Sequence, residues 1–120
     1  MARVVALVPD LLFGSKIQAA LAAAGHDVVL AAGEDGARQA APDADVLVVD
    51  LASGTVDGCG LVTAMRRAGE LTTTRTLAFY SHVDVEVREQ ALAAGFDLVV
   101  PRSRMNREGA ELVTRLAAGG

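Results

Sequence analysis

Five short runs rich in β-branched residues constrain this chain more than any other feature. They lie at Arg3 to Val8, Asp27 to Ala31, Asp45 to Val49, Arg75 to Tyr80 and Asp97 to Val100. Their apolar residues are continuous rather than alternating, which is how strands read when both faces are covered. Helical patterns lie between them. Phe13, Ile17, Ala20, Leu21 and Ala24 recur at helical spacing until Gly25, and Leu61, Ala64, Met65 and Ala68 do so until Gly69. Asp84 stands where an N-cap opens a helix through Val87, Ala91 and Ala94 to Gly95, and Leu112, Val113 and Leu116 stripe the last helix. The shortest helical segment, Glu34 to Ala41, offers only alanine to a core. Strict alternation predicts a three-layer α/β domain over residues 1–120, with a doubly wound five-stranded parallel sheet. Right-handed crossovers and short connections favour strand order 2-1-3-4-5. A closed eight-fold barrel needs about twice this length.

Charge and composition exclude several classes of function. Eleven basic and 15 acidic side chains leave a formal charge of -4. That provides no concentrated basic surface for nucleic acid or an anionic membrane. Apolar runs of about six residues fall far below the roughly 18 that span a bilayer, and the opening MARVVALVPD lacks the features of a secretory signal. A lone cysteine, Cys59, can form neither an internal disulfide nor a zinc cage, so a cytoplasmic location is expected. No nucleophile stands with a His and an orienting acid at a recognisable spacing, so the chain is not expected to be an enzyme.

In such a sheet, ligands bind outside the carboxyl ends of the strands. Pro9 and Asp10 follow the first strand, Asp50 the third, Ser81 and His82 the fourth, and Pro101, Arg102 and Ser103 the fifth. The proposed order brings these residues to one edge. Two carboxylates there repel each other unless a cation neutralises them, and Mg2+ prefers such oxygen ligands. A carboxylate beside the metal can attack a phosphoryl group, while a hydroxyl and a cation hold the transferred oxygens.

The segment Asp50-Leu-Ala-Ser-Gly-Thr-Val-Asp57-Gly58 resembles the phosphoacceptor loop in receiver domains of two-component response regulators. Ala94-Gly95-Phe96-Asp97 and the position of Ser81 fit the same family. The resemblance covers nearly the whole chain and implies the flavodoxin-like receiver fold. It implies Asp50 as the phosphorylated residue, Asp10 as a direct Mg2+ ligand, the Ala52 carbonyl as a further metal ligand and Ser81 as the switch hydroxyl. The implied partners are signalling proteins, either a histidine kinase or a separate output protein. No attached output domain is expected, and the expected state is a monomer or weak homodimer.

The sequence departs from the family pattern at the active edge. Pro9 replaces the first paired acid, Arg102 a lysine, Ser103 a proline that gives a cis bond, and Val99 an aromatic residue. Gly54 replaces a loop proline and His82 a small residue. Lys16 is the only lysine, and its place in the second turn of the first helix predicts that it lies away from the fifth strand. Two mechanisms follow for an atypical receiver. Either Asp50 is phosphorylated with Mg2+, or Arg102 pairs with Asp50 and the module works without phosphate; the second is the favoured expectation. Arg and Lys differ here because a planar fork and a point charge are not interchangeable at a tight site.

Plainer readings stand beside these. Asp50 is also an acceptable turn residue, and Asp10 an acceptable helix cap. His26 reads as structural, and Cys59 as a small packing residue. Arg102, Arg104 and Arg107 form a basic cluster at the start of the last helix, open either to solvent or to a partner. The alternative function is a flavodoxin-like module that binds a nucleotide or cofactor. Against it, no glycine-rich phosphate loop follows the first strand, and only Phe13 and Tyr80 are placed to stack a flavin.

Overall fold

The computed structural model describes residues 2–81 and 83–119. Five strands, β1 (Arg3–Leu7), β2 (Asp27–Leu30), β3 (Val46–Asp50), β4 (Arg75–Tyr80) and β5 (Leu98–Pro101), alternate with five helices. The helices are α1 (Leu11–Ala23), α2 (Glu34–Ala40), α3 (Gly58–Arg67), α4 (Val85–Ala94) and α5 (Arg102–Ala117). A turn of 3-10 helix, Ala41–Asp43, continues α2, so the expected inner alanines Ala37 and Ala41 are both fully buried. All strands pair in parallel, in the order β2-β1-β3-β4-β5. This is the expected three-layer flavodoxin-like architecture.

Side-chain alternation along the strands divides the interior into two cores. Val4, Ala6, Val46, Val48, Leu77 and Phe79 face α1 and α5, where they meet Phe13, Ile17, Leu21, Met105, Leu112 and Leu116. Val5, Leu7, Leu47, Val49, Ala78 and Val99 face the opposite layer and pack with Leu61, Val62, Met65 and Ala91. Each central strand is therefore apolar on both sides, which accounts for the continuous runs in the sequence. Val99, which stands where the family pattern has an aromatic residue, is buried in this second core.

The expected helix ends are found at Gly25 and Gly69, both with positive φ. Beyond them, the His26 and Glu70 amides donate to the carbonyls of Leu21 and Met65. This is the pattern that closes a helix through a left-handed residue. Asp84 precedes α4, but its side chain makes no capping hydrogen bond. His26 is structural as expected. Its Nδ1 accepts the Ala2 amide at 3.1 Å, so Nε2 carries the proton and faces Thr114 Oγ1 at 2.9 Å.

At the amino-terminal edge of the sheet, Asp97 Oδ2 accepts the Thr76 amide at 2.7 Å and the Thr76 hydroxyl at 3.1 Å. Arg66 joins them: its Nε donates to the Gly95 carbonyl at 2.8 Å, and its Nη2 reaches Thr76 Oγ1 and Asp97 Oδ2. One guanidinium thus ties α3 to β4 and to the connection between α4 and β5.

Candidate functional site

Asp50 ends β3 at the carboxyl edge of the sheet and is only 1% exposed. The chain turns back over its side chain. Oδ1 accepts the amides of Ala52 at 2.7 Å and Ser53 at 3.2 Å, while Oδ2 has no hydrogen-bond partner among the described residues. Burial pushes its pKa up, and the two amide bonds and the charge of Arg102 oppose that rise only in part. The following loop passes through Gly54 at φ 72°, a left-handed conformation that proline, fixed near -65°, cannot adopt.

The loop ends at Asp57, whose Oδ1 caps α3 by accepting the Gly60 amide at 3.0 Å. Gly58 then brings α3 against β3 so closely that an added Cβ would lie 2.5 Å from the side chains of Val49 and Leu51. The spacing from Asp50 to Asp57-Gly58 is therefore the length needed to turn off β3 and start α3 against it. Cys59, just inside α3, is half-buried. Its thiol pKa is pushed up by burial and by Asp57, the opposite of an activated nucleophile.

Asp10 caps α1: its Oδ1 accepts the Phe13 amide at 3.1 Å. Its Oδ2 accepts Arg102 Nη2 at 3.2 Å across the gap between β1 and β5. The Phe13 amide, followed by Arg102, holds the Asp10 carboxyl below its ordinary range. The Arg102 guanidinium also lies 4.1 Å over the Phe13 ring, which packs edge-on against Phe79 with centroids 5.3 Å apart. The expected pair between Arg102 and Asp50 is not formed. Arg102 instead takes the more exposed carboxylate, where the aromatic face adds a second attraction for the planar cation. Its charge reaches Asp50 only through space.

Ser81, Arg102, Ser103 and Ala52 line one open cleft of about 580 Å3, together with Phe13, Lys16 and Asn106. No residue of β5 lines this cleft, consistent with the predicted place of Lys16 away from the fifth strand, but Lys16 shares the cleft with the start of α5. α1 and α5 pack side by side on the same face of the sheet, so the second turn of α1 stands opposite the first turn of α5. Ser103 lies in that first turn, and no cis peptide bond occurs among the described residues. Tyr80 is buried in the opposite core and Phe13 is covered by Arg102, so neither offers a free stacking face. His82 lies outside the described residues.

The expected Mg2+ donors were Asp10, Asp50 and the Ala52 carbonyl. Both Asp10 oxygens are engaged, and Pro9 supplies no carboxylate. Among the described residues no three His, Cys, Asp or Glu side chains gather into one cluster. While Arg102 remains on Asp10, this set does not fit a hard divalent cation, which needs several convergent oxygens and no competing guanidinium.

No protein-family model matches the sequence, and no curated protein matches it. Solved structures do. The receiver domain of the Francisella response regulator 1452 superposes with a TM-score of 0.85 at 19% identity, covering 99% of this chain and 98% of that one. The signal receiver domain of the response regulator NarL from Mycobacterium tuberculosis gives 0.85 at 25% identity, with 99% and 98% coverage. The chemotaxis response regulator CheY4 of Vibrio cholerae gives 0.81 at 21%, with 97% and 98% coverage. The chain therefore has the receiver-domain fold of response regulators over nearly its whole length.

Proposed function

We propose that this chain is a cytoplasmic signalling module of the receiver type, an atypical one that acts by protein–protein contact rather than as an enzyme. Asp50 stands at the phosphoacceptor position, with Ser81 and Arg102 at the same edge of the sheet, and the module's partner is a signalling protein such as a histidine kinase or a separate output protein. The receiver fold and the Asp50 turn support this reading. No described helix is long and apolar enough to cross a membrane.

We further propose that the resting module does not depend on Mg2+-assisted phosphorylation. The ion pair between Arg102 and Asp10 carries this reading, because a protein cation already engages the carboxylate that a metal would require. The buried Asp50, poor in neighbouring cations, is a less available nucleophile than a metal-flanked carboxylate. Incubation with a millimolar small-molecule phosphodonor and Mg2+, followed by intact-mass measurement, should give no Asp50-dependent product. A mass increase that disappears in Asp50→Asn would overturn the reading.

A further inference from the structure

We propose that the outer edge of β2 is a homodimer interface, at which a second copy of this chain adds its own β2 antiparallel across a two-fold axis and joins the two sheets into one. This does not rest on the signalling reading, because Asp50 and the groups beside it take no part. β2 stands at one end of the strand order, paired to β1 alone. The Asp27 and Ala31 amides donate to the Ala2 and Ala6 carbonyls at 2.9 and 2.8 Å. Backbone groups alternate along a strand, so the amides and carbonyls of Val28 and Leu30 face outward. Gln18 of α1 donates its Nε2 to the outward Val28 carbonyl at 3.3 Å. A side-chain amide thus stands in for a neighbouring strand, through a long bond that a backbone amide can replace.

The outward groups are self-complementary. With Val29 on the two-fold axis, the Val28 amide of each copy meets the Leu30 carbonyl of the other, and the Leu30 amide meets the Val28 carbonyl. The same register sets Val29 against its copy as a non-hydrogen-bonded pair, with about 4.5 Å between Cα atoms. Val29 is 57% exposed, because the short α2 packs on β1 and α3 and leaves a groove of about 400 Å3 beside it. Asp27 comes opposite Ala31 of the second copy. The two Asp27 residues then stand about 14 Å apart along the strands, beyond the screening length of about 8 Å.

The neighbouring helix carries the same pattern. The Gln18 bond turns one flank of α1 to this edge, and Leu11, Ser15 and Ala22 share that flank at helical spacing. All three are exposed, Leu11 by 82%. This flank and Val28–Leu30 carry no charge, although 22% of the chain is charged. An edge that met only water would be guarded by charge or proline. A two-fold axis normal to the sheet lays α1 beside its copy on one face, where Ser15 and Ala22 permit close approach.

Sedimentation of the full chain from micromolar to millimolar concentration should show the average mass rising towards twice that of one chain. Val29→Lys sets two cations face to face on the axis and should weaken association about tenfold or more, with the melting temperature of the dilute monomer unchanged. Should that variant fail to fold, Val29→Cys in a Cys59→Ser background decides. Mild oxidation should link it into a dimer, whereas Leu92→Cys on the exposed side of α4 should stay monomeric. A chain that remains monomeric at millimolar concentration, a dimer that Val29→Lys leaves intact, or cross-linking of Leu92→Cys in place of Val29→Cys would overturn the proposal.

Discussion

Asp50 is an ionisable group at the end of a buried strand, with one oxygen held by two amides and a pKa raised first by burial. A carboxyl group whose pKa rises on folding favours the folded state while protonated. That contribution is present below its unfolded pKa and is lost as the pH rises through the folded value. At neutral pH the ionised Asp50 therefore weakens the fold. Asp50→Asn keeps an oxygen for the Ala52 and Ser53 amides and removes the charge. The variant should melt a few degrees higher at pH 7, roughly 4 °C for about 1 kcal/mol in a domain of this size. The gain should shrink as the pH falls through the folded pKa of Asp50 towards the unfolded value of about 3.9. Thermal melts of both proteins across that range check the prediction, and an unchanged or lower Tm at pH 7 would contradict it. The placement of the candidate site residues at the carboxyl edge was legible in the sequence because each follows a strand that reads clearly. The choice Arg102 makes was not, since Asp10 and Asp50 lie on neighbouring strand ends and the deciding contact is the face of Phe13.

Helices carry the information that local reading missed. The register of α1 placed Lys16 correctly within its own helix, on the same face as Phe13. Its neighbours depend on α5 returning across the sheet to lie beside α1, a relation between segments some 90 residues apart that periodicity does not encode. α3 shows the reverse case, where a short motif records a packing distance. Gly58 has no Cβ because Val49 and Leu51 occupy the space one would need. Gly58→Ala should lower stability by about 1–3 kcal/mol through overpacking. Urea unfolding would show a lower midpoint with an unchanged slope, and a midpoint equal to that of the wild type would refute the close approach of α3 to β3. Asp84 taught the smaller lesson that a residue can hold the cap position without using its side chain.

At the scale of the molecule, strand order was the most legible property, because apolar runs covered on both faces leave few sheets to build. The two edges of that sheet differ in how they are fastened. At the carboxyl edge, the connection between β1 and β5 is one half-exposed ion pair at 3.2 Å resting on an aromatic ring. At the amino-terminal edge, Arg66, Thr76 and Asp97 share hydrogen bonds among α3, β4 and the start of β5. Arg66→Met should therefore cost about 1–3 kcal/mol, read from urea unfolding, and should speed hydrogen exchange at the Thr76 amide. Unaltered exchange there would mean that Asp97 holds the strand without help. Loss of the Arg102–Asp10 pair would therefore remove the one ion pair that spans the carboxyl edge among the described residues, while the Arg66 network at the opposite edge would keep its several hydrogen bonds.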